Sequence, residues 1–251
     1  MSTQLDEILE KNLVQTLFQP IVALKTGSIF GYEALTRGPE GALHAPLALF
    51  SEAKRYNRLP ELDRLCRDTI LHCAREQHAE GLLFINIDPA ALFDRFTKAE
   101  DILHTREESY PADRIVLEFT MEEDICKFGS FIDLVQQLKK AGFHIACDNT
   151  VPGSTELLSV HNLHPDYIKI SLLETGGSYQ SACALAQMTH AQVIAVGVHT
   201  AEQLRALAES GIAYAQGNFL SPPETMCPTL RDTARILLEQ AAAPHCEISD
   251  T

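Results

Sequence analysis

The chain predicts an α/β fold, a TIM-type (β/α) barrel closed as a single domain. Three observations carry this. Eight short apolar runs recur along 251 residues, helical periodicity separates the later ones, and no Pro-, Gly- or Ser-rich linker divides the chain. At 45% apolar residues, a chain of this length can bury one full core.

In chain order, residues 4–14 carry Leu5, Ile8, Leu9 and Leu13 at helical spacing with acids between them, which predicts a short amphipathic lid or contact helix. The expected organisation is therefore an N-terminal helix over 1–16, the barrel over 17–243 and a disordered tail over 244–251. Leu17–Ala23 and Ser28–Thr36 are apolar runs joined by Leu24-Lys25-Thr26-Gly27, whose glycine suits a tight turn, so they predict a hairpin. A hairpin breaks the all-parallel rule at the start of the barrel. The period then changes to 3.6 over 45–57, with Leu47, Leu49, Phe50 and Ala53, and over 60–78, with Leu62, Leu65, Cys66, Thr69 and Ile70. These are two helices. Leu82–Ile87 is a continuous apolar run stopped by Pro89, as expected of a strand buried on both faces. Runs at 114–119, 143–148, 166–170, 192–197 and 212–217 supply the remaining strands, with helices over about 129–141, 154–161, 178–190, 200–210 and 228–243.

The net charge of −14 excludes a nucleic acid polymer or an anionic membrane as partner in the absence of a basic run, and leaves a small anion neutralised by a metal. Seven scattered cysteines with no C-x-x-C pair read as reduced thiols in a cytoplasmic protein. The N-terminus has no basic and apolar leader, and no window holds roughly 18 consecutive apolar residues.

Polar residues interrupt the strands at their ends. Glu33, Leu35 and Arg37 alternate onto one face, offering a hard-metal ligand, an apolar contact and a phosphate fork. Asn86, Glu118, Asp148, Lys169 and Gln216 stand at or just past the ends of five further strands, and in a barrel such positions converge on one face. Three carboxylates and an amide oxygen suit Mg²⁺, Mn²⁺ or Ca²⁺ rather than zinc. Lys169 would polarise a phosphate or a metal-bound water, and Gln216 would orient the ligand. Other features carry less: His161 and His164 lack a third ligand, Gly176-Gly177 is a weak phosphate-loop signal, and Cys147 between apolar neighbours reads as a packed thiol.

In these residues the sequence resembles the EAL domain family, the phosphodiesterase module of bacterial cyclic di-GMP signalling. The likeness runs from Phe18-Gln19-Pro20-Ile21-Val22 to Gln216-Gly217-Asn218-Phe219-Leu220-Ser221-Pro222. Glu33-Ala34-Leu35 with Arg37 is similar to the name-giving motif, Asn86 to the Asn of the N-x-small-Pro motif, and Glu118 to the first Glu of E-L-T-E. Asp148 falls on the first Asp of D-D-F-G-T-G, Lys169 on the Lys of D-x-I-K and Gln216 on the Gln of the last Q-G. The resemblance implies a barrel with an antiparallel first strand that binds cyclic di-GMP. It assigns one metal to Glu33, Asn86, Glu118 and Asp148, ligand contacts to Gln19, Leu35, Arg37, Lys169 and Gln216, and catalysis to Glu33 and Lys169. It also implies a homodimer paired near the Asp148 loop and admits a protein partner.

Four positions depart from the family pattern, all on the side of a second metal. Asn149 replaces the second Asp of the D-D pair and would be a weak ligand; Met121 replaces the second Glu of E-L-T-E. Val196 and His199 replace the two acids of A-E-G-V-E. One divalent ion is therefore expected rather than two. The leading expectation is a cyclic di-GMP receptor with absent or weak hydrolysis; the alternatives are an active metal-dependent phosphodiesterase and a nucleotide-independent interaction module on the same scaffold.

Overall fold

Strands apolar on both faces need cover on both sides, and a closed barrel sheathed by helices provides it. The structure, a computed structural model, describes residues 4–89, 110–120, 129–148, 163–171, 184 and 187–242. Its strands are β1 Gln15–Ala23, β2 Ile29–Arg37, β3 Leu82–Ile87, β4 Ile115–Thr120, β5 His144–Asp148, β6 Tyr167–Ser171, β7 Gln192–Val196 and β8 Tyr214–Gln216. They close in chain order into one barrel. β1 runs antiparallel to both β2 and β8, and every other neighbouring pair is parallel. All eight strands fall on the expected apolar runs. The β1–β2 turn closes as Gly27 N–H donates to the Ala23 carbonyl at 2.8 Å, with Gly27 at φ +67° in the left-handed region that favours glycine.

The helices are α1 Gln4–Lys11, α2 Pro46–Arg55, α3 Leu59–Glu76, α4 Gly129–Lys140, α5 Ala201–Ser210 and α6 Asp232–Ala242. α5 begins in a capping box between Thr200 and Gln203 and ends at Gly211, again left-handed at φ +81°. The helix expected over 154–161 lies outside the described residues, as does Gly176-Gly177. Of the one expected over 178–190, residues 184 and 187–189 are described and helical. Among the described residues no helix is long and apolar enough to cross a membrane.

Period-two alternation sorts the strand residues into two cores. Outward residues such as Leu83, Ile85, Leu117, Phe119 and Ile168 pack against Ile70, Phe131, Val135 and Leu204 of the helices. Inward residues Ile21, Phe84, Val116, Ala146, Tyr167 and Ile194 fill the barrel, with Phe30 and Tyr214 stacked at 4.0 Å among them. A third cluster joins Leu5 and Ile8 of α1 to Leu49 of α2 and Leu62 and Cys66 of α3, so α1 is a contact helix, tied further by Arg58 Nη1 to Asp6 at 2.7 Å. Two apolar residues expected in helical stripes are exposed. Leu13 lies past the end of α1 and Leu47 is 82% exposed, because it stands two residues, about 200°, round the helix from buried Leu49.

Candidate functional site

The polar residues at the strand ends follow from the apolar layer beneath them. Phe84, Val116, Ala146, Tyr167, Ile194 and Tyr214 point inward, so the residues two further along must do so too. Those are Asn86, Glu118, Asp148, Lys169, Val196 and Gln216. β2 adds Glu33 and antiparallel β1 adds Gln19, which pairs with Glu33 in register. One mouth therefore gathers every ligand-set residue that the strand-end pattern marks.

At its centre, Lys169 Nζ lies 2.7 Å from Glu33 Oε2 and 2.6 Å from Glu118 Oε1, with side-chain exposures of 2%, 12% and 0% in that order. The ammonium also stands 5.7 Å from the centroid of the Phe84 ring beneath it. Glu33 further accepts hydrogen bonds from Gln216 Nε2 at 2.7 Å and Asn86 Nδ2 at 2.9 Å. Burial alone would raise its pKa, but Lys169 and these donors outweigh burial and hold the carboxyl below its ordinary range. Glu118 has no such donors. Burial pushes its pKa well above the carboxylate range, against the pull of Lys169. Lys169 is driven the other way: burial would lower it, and the acids around it keep it charged, above its usual value. Gln216 Nε2 also donates to Gln19 Oε1 at 3.0 Å, and Gln19 Nε2 donates to Asn218 Oδ1 at 3.1 Å and to the Ser221 carbonyl at 3.2 Å.

Two cavities open from this mouth and share Glu33. One, of about 420 Å³, runs past Asn86, Leu35 and Arg37 to Leu47 and Phe50 of α2. The other, of about 200 Å³, is walled by Asp148, Lys169, Val196, His199 and Gln216. Val196 and His199, the departures on β7 and just after it, thus face the same small cavity as Asp148. Arg37 is half-buried, and its Nη1 donates to the Thr36 carbonyl at 2.8 Å. Asn149 and Met121 lie outside the described residues.

Whether these residues suit a cation is decided by unmet acceptors. Lys169 Nζ holds Glu118 Oε1 at 2.6 Å, while Glu118 Oε2 and Gln216 Oε1 are buried with no hydrogen-bond partner among the described residues. Hard, orphaned oxygens at one mouth fit a hard divalent ion. Among the described residues no three His, Cys, Asp or Glu side chains are grouped to hold a metal. Lys169, standing between Glu33 and Glu118, supplies the positive charge there.

Several residues of the site escape sequence reasoning. Asn218 and Ser221 act from the loop after β8, where only the short interval from Gln216 could signal them. Asp63 and Arg67 form a buried ion pair on α3, and Arg67 lines the larger cleft. Their four-residue spacing inside an apolar stripe is a signal. Cys147 is fully buried, as expected of a packed thiol, whereas His164 is exposed, with φ +47°.

A model described as the EAL domain matches residues 2–223. The chain is similar to the cyclic di-GMP phosphodiesterase NbdA of Pseudomonas aeruginosa, 27% identical over 266 aligned positions that cover 97% of this chain and 33% of NbdA. It is equally similar to the probable cyclic di-GMP phosphodiesterase PdeG of Escherichia coli, 27% identical over 94% of this chain and 49% of PdeG. The chain thus spans between a third and a half of the length of these curated relatives. Among solved structures it resembles the Bacillus subtilis YkuI protein, with an EAL domain, in complex with substrate c-di-GMP and calcium. That likeness has a TM-score of 0.75 and 25% identity, over 95% of this chain and 62% of YkuI. The barrel with its reversed first strand, the acids and lysine at its mouth and a family match over nearly the whole chain agree, and the chain belongs to the EAL domain family.

Proposed function

We propose that this EAL domain binds cyclic di-GMP across the barrel mouth as a receptor, with hydrolysis absent or weak. Val196 carries the reading. It stands beside Gln216 in the β7–β8 register and lines the small cavity with Asp148 and Lys169, where an acid would supply a ligand and valine supplies none. Two dications about 4 Å apart repel by roughly 4 kcal/mol even at the dielectric constant of water, and missing carboxylates leave that repulsion unopposed. Glu33, Asn86, Glu118 and Asp148 would hold a single Mg²⁺, Mn²⁺ or Ca²⁺, with Asn149 at most a weak further ligand. The bound ion would supply positive charge to a phosphate oxygen. Arg37 and Lys169 would add theirs, which a chain of net charge −14 needs to accept a dianion. Leu35 and Gln216 would contact the ligand, and Gln19 would hold Gln216 in place.

The names of NbdA and PdeG, and the intact Lys169–Glu33–Glu118 cluster, favour a second reading, a slow phosphodiesterase. In it Glu33 and Lys169 would be the catalytic groups. Calorimetry with cyclic di-GMP and Ca²⁺, followed by chromatography of long incubations with Mg²⁺ or Mn²⁺, separates the two. Binding with only traces of linear product is expected. Asn149→Asp combined with Val196→Glu should raise product formation by about tenfold or more, that is by at least ~1.4 kcal/mol of barrier. Absence of binding heat, or brisk turnover that the double substitution leaves unchanged, sinks the receptor reading.

A further inference from the structure

Two half-buried thiols lie in a seam outside the barrel mouth, between α3 and the loop that leads from β8 to α6. Cys73 stands on α3 and Cys227 on the loop, and both pack against the same outer core. Gln77, one turn beyond Cys73 on α3, clamps the loop with both ends of its amide. Its Nε2 donates to the Thr225 carbonyl at 2.8 Å, and its Oε1 accepts from the Cys227 N–H at 2.7 Å. A carbonyl and an N–H two residues apart on one edge belong to extended chain, in which successive side chains point opposite ways. Met226 is accordingly 65% exposed, and Cys227 packs inward. Cys73 is held from the barrel side by a hydrogen bond to Thr16 of β1. Two residues further along β1, Phe18 exchanges both backbone hydrogen bonds with Glu224 of the loop, at 2.7 and 3.0 Å. The loop is thus pinned to β1 at Glu224 and to α3 at Thr225 and Cys227. Burial, with the nearby Cys73 thiol adding to it, pushes the Cys227 pKa up to about 11.

We propose that Cys73 and Cys227 are a redox-modified pair, joined by a reversible disulfide that fastens the β8–α6 loop to α3. A peroxide is the oxidant. One thiolate sulfur attacks a peroxide oxygen and becomes a sulfenic acid as hydroxide leaves; the second sulfur, losing its proton, attacks the first and displaces water. In sum, two thiols and one hydrogen peroxide give one disulfide and two waters, and two electrons pass from sulfur to oxygen. Burial keeps both thiols above their ordinary pKa, so the first step is slow at neutral pH and the pair answers to sustained oxidant. The bond also bears on the barrel mouth. Between Gln216 and Cys227 the loop carries Asn218 and Ser221, which both accept hydrogen bonds from Gln19, so fastening the loop steadies the groups that hold Gln19. The pair itself needs nothing from the nucleotide reading.

Non-reducing peptide mapping and thermal melts test this on the full chain, kept in dithiothreitol or freed of it and treated with hydrogen peroxide. A linked peptide pair holding Cys73 and Cys227, lighter by two hydrogens than its reduced parts and released by dithiothreitol, is expected as the main intramolecular product. Oxidation should raise the melting temperature by roughly 5–10 °C, since the bond closes a loop of about 150 residues. Cys227→Ser should abolish both the linked pair and the rise, and so should Cys73→Ser. Both thiols still reduced after oxidant, either one linked instead to another cysteine, or a rise that survives in Cys227→Ser overturns the inference. The map of the wild type decides this even where a serine variant fails to fold.

Discussion

Lys169→Met takes the ammonium out of the barrel mouth and nearly conserves the side chain's length. At an effective dielectric near 20, unit charges at 2.6–2.7 Å attract by about 6 kcal/mol. Glu33, whose carboxyl stays ionised, is such a partner; Glu118, with its raised pKa, is one only where it is ionised, and desolvation of the buried groups offsets most of the attraction. What a substitution exposes is the cost of stranding a buried partner, about 3–5 kcal/mol. For a domain of this size each kcal/mol moves the melting temperature by about 2–4 °C, so a fall on the order of 10 °C is expected in metal-free buffer. Calcium should recover more of the variant's stability than it adds to the wild type, because a dication beside Glu33 and Glu118 replaces the lost charge. The assay is thermal and guanidinium unfolding followed by circular dichroism, in EDTA and in Ca²⁺. A variant within about 1 kcal/mol of the wild type in EDTA would refute the central role of the ammonium. A destabilised variant indifferent to calcium would refute the proposed metal position.

Calcium affinity should rise with pH, and binding should release protons. Glu118 has a raised carboxyl pKa in the fold, so between the ordinary carboxyl range and that raised value the folded state carries an extra proton. Its contribution to stability therefore falls as pH rises through this window, the reverse of Glu33, whose lowered pKa contributes stability that is lost as pH falls. A cation selects the ionised Glu118, so titrations in buffers of different ionisation enthalpy should report protons released on binding, fewer as the pH rises; no release at any pH contradicts the assignment. Gly217→Ala should cost about 1–3 kcal/mol and weaken cyclic di-GMP binding, since a Cβ there would meet Val198 N and O at 2.3 Å and displace neighbouring Gln216. Gly211→Ala, with nothing within 4 Å but φ +81°, should cost only about 1–2 kcal/mol in melts and leave binding unchanged.

The barrel was legible because both faces of its strands are apolar, and the site because polar residues interrupt that pattern at matching places. Asn86, Glu118, Asp148, Lys169 and Gln216 each stand two residues beyond an inward apolar residue, so one rule of alternation marks them all. Gln19 breaks the rule for a topological reason. β1 runs the other way, so its inward polar residue falls mid-strand rather than at the C-terminal end, and only family likeness pointed to it. The far wall of the larger cleft was hidden for another reason. Periodicity identifies Leu47 and Phe50 as helical apolar residues, but which of them faces the core depends on where α2 packs, and that is a tertiary fact. The Lys54–Asp88 ion pair has no local spacing to mark it, because the two residues are distant in sequence.

The arrangement also bears on how binding and hydrolysis could part. In a closed ring of eight strands, β3 and β7 stand opposite each other. Asn86 and the large cleft lie toward one side, Val196 and the small cavity toward the other. On the proposed reading, substitutions on β7 could remove second-metal ligands without touching the wall that grips the nucleotide. The two sides are not independent, because Glu33 belongs to both cavities and is held by Asn86 from one direction and by Gln216 and Lys169 from the other. A carboxylate restored at position 196 would face the same cavity as the ammonium of Lys169 and compete for its charge. The Val196→Glu part of the double variant should therefore tighten metal binding only alongside Asn149→Asp. Alone, it should add an acid to an already acidic mouth and weaken the binding of the dianionic ligand.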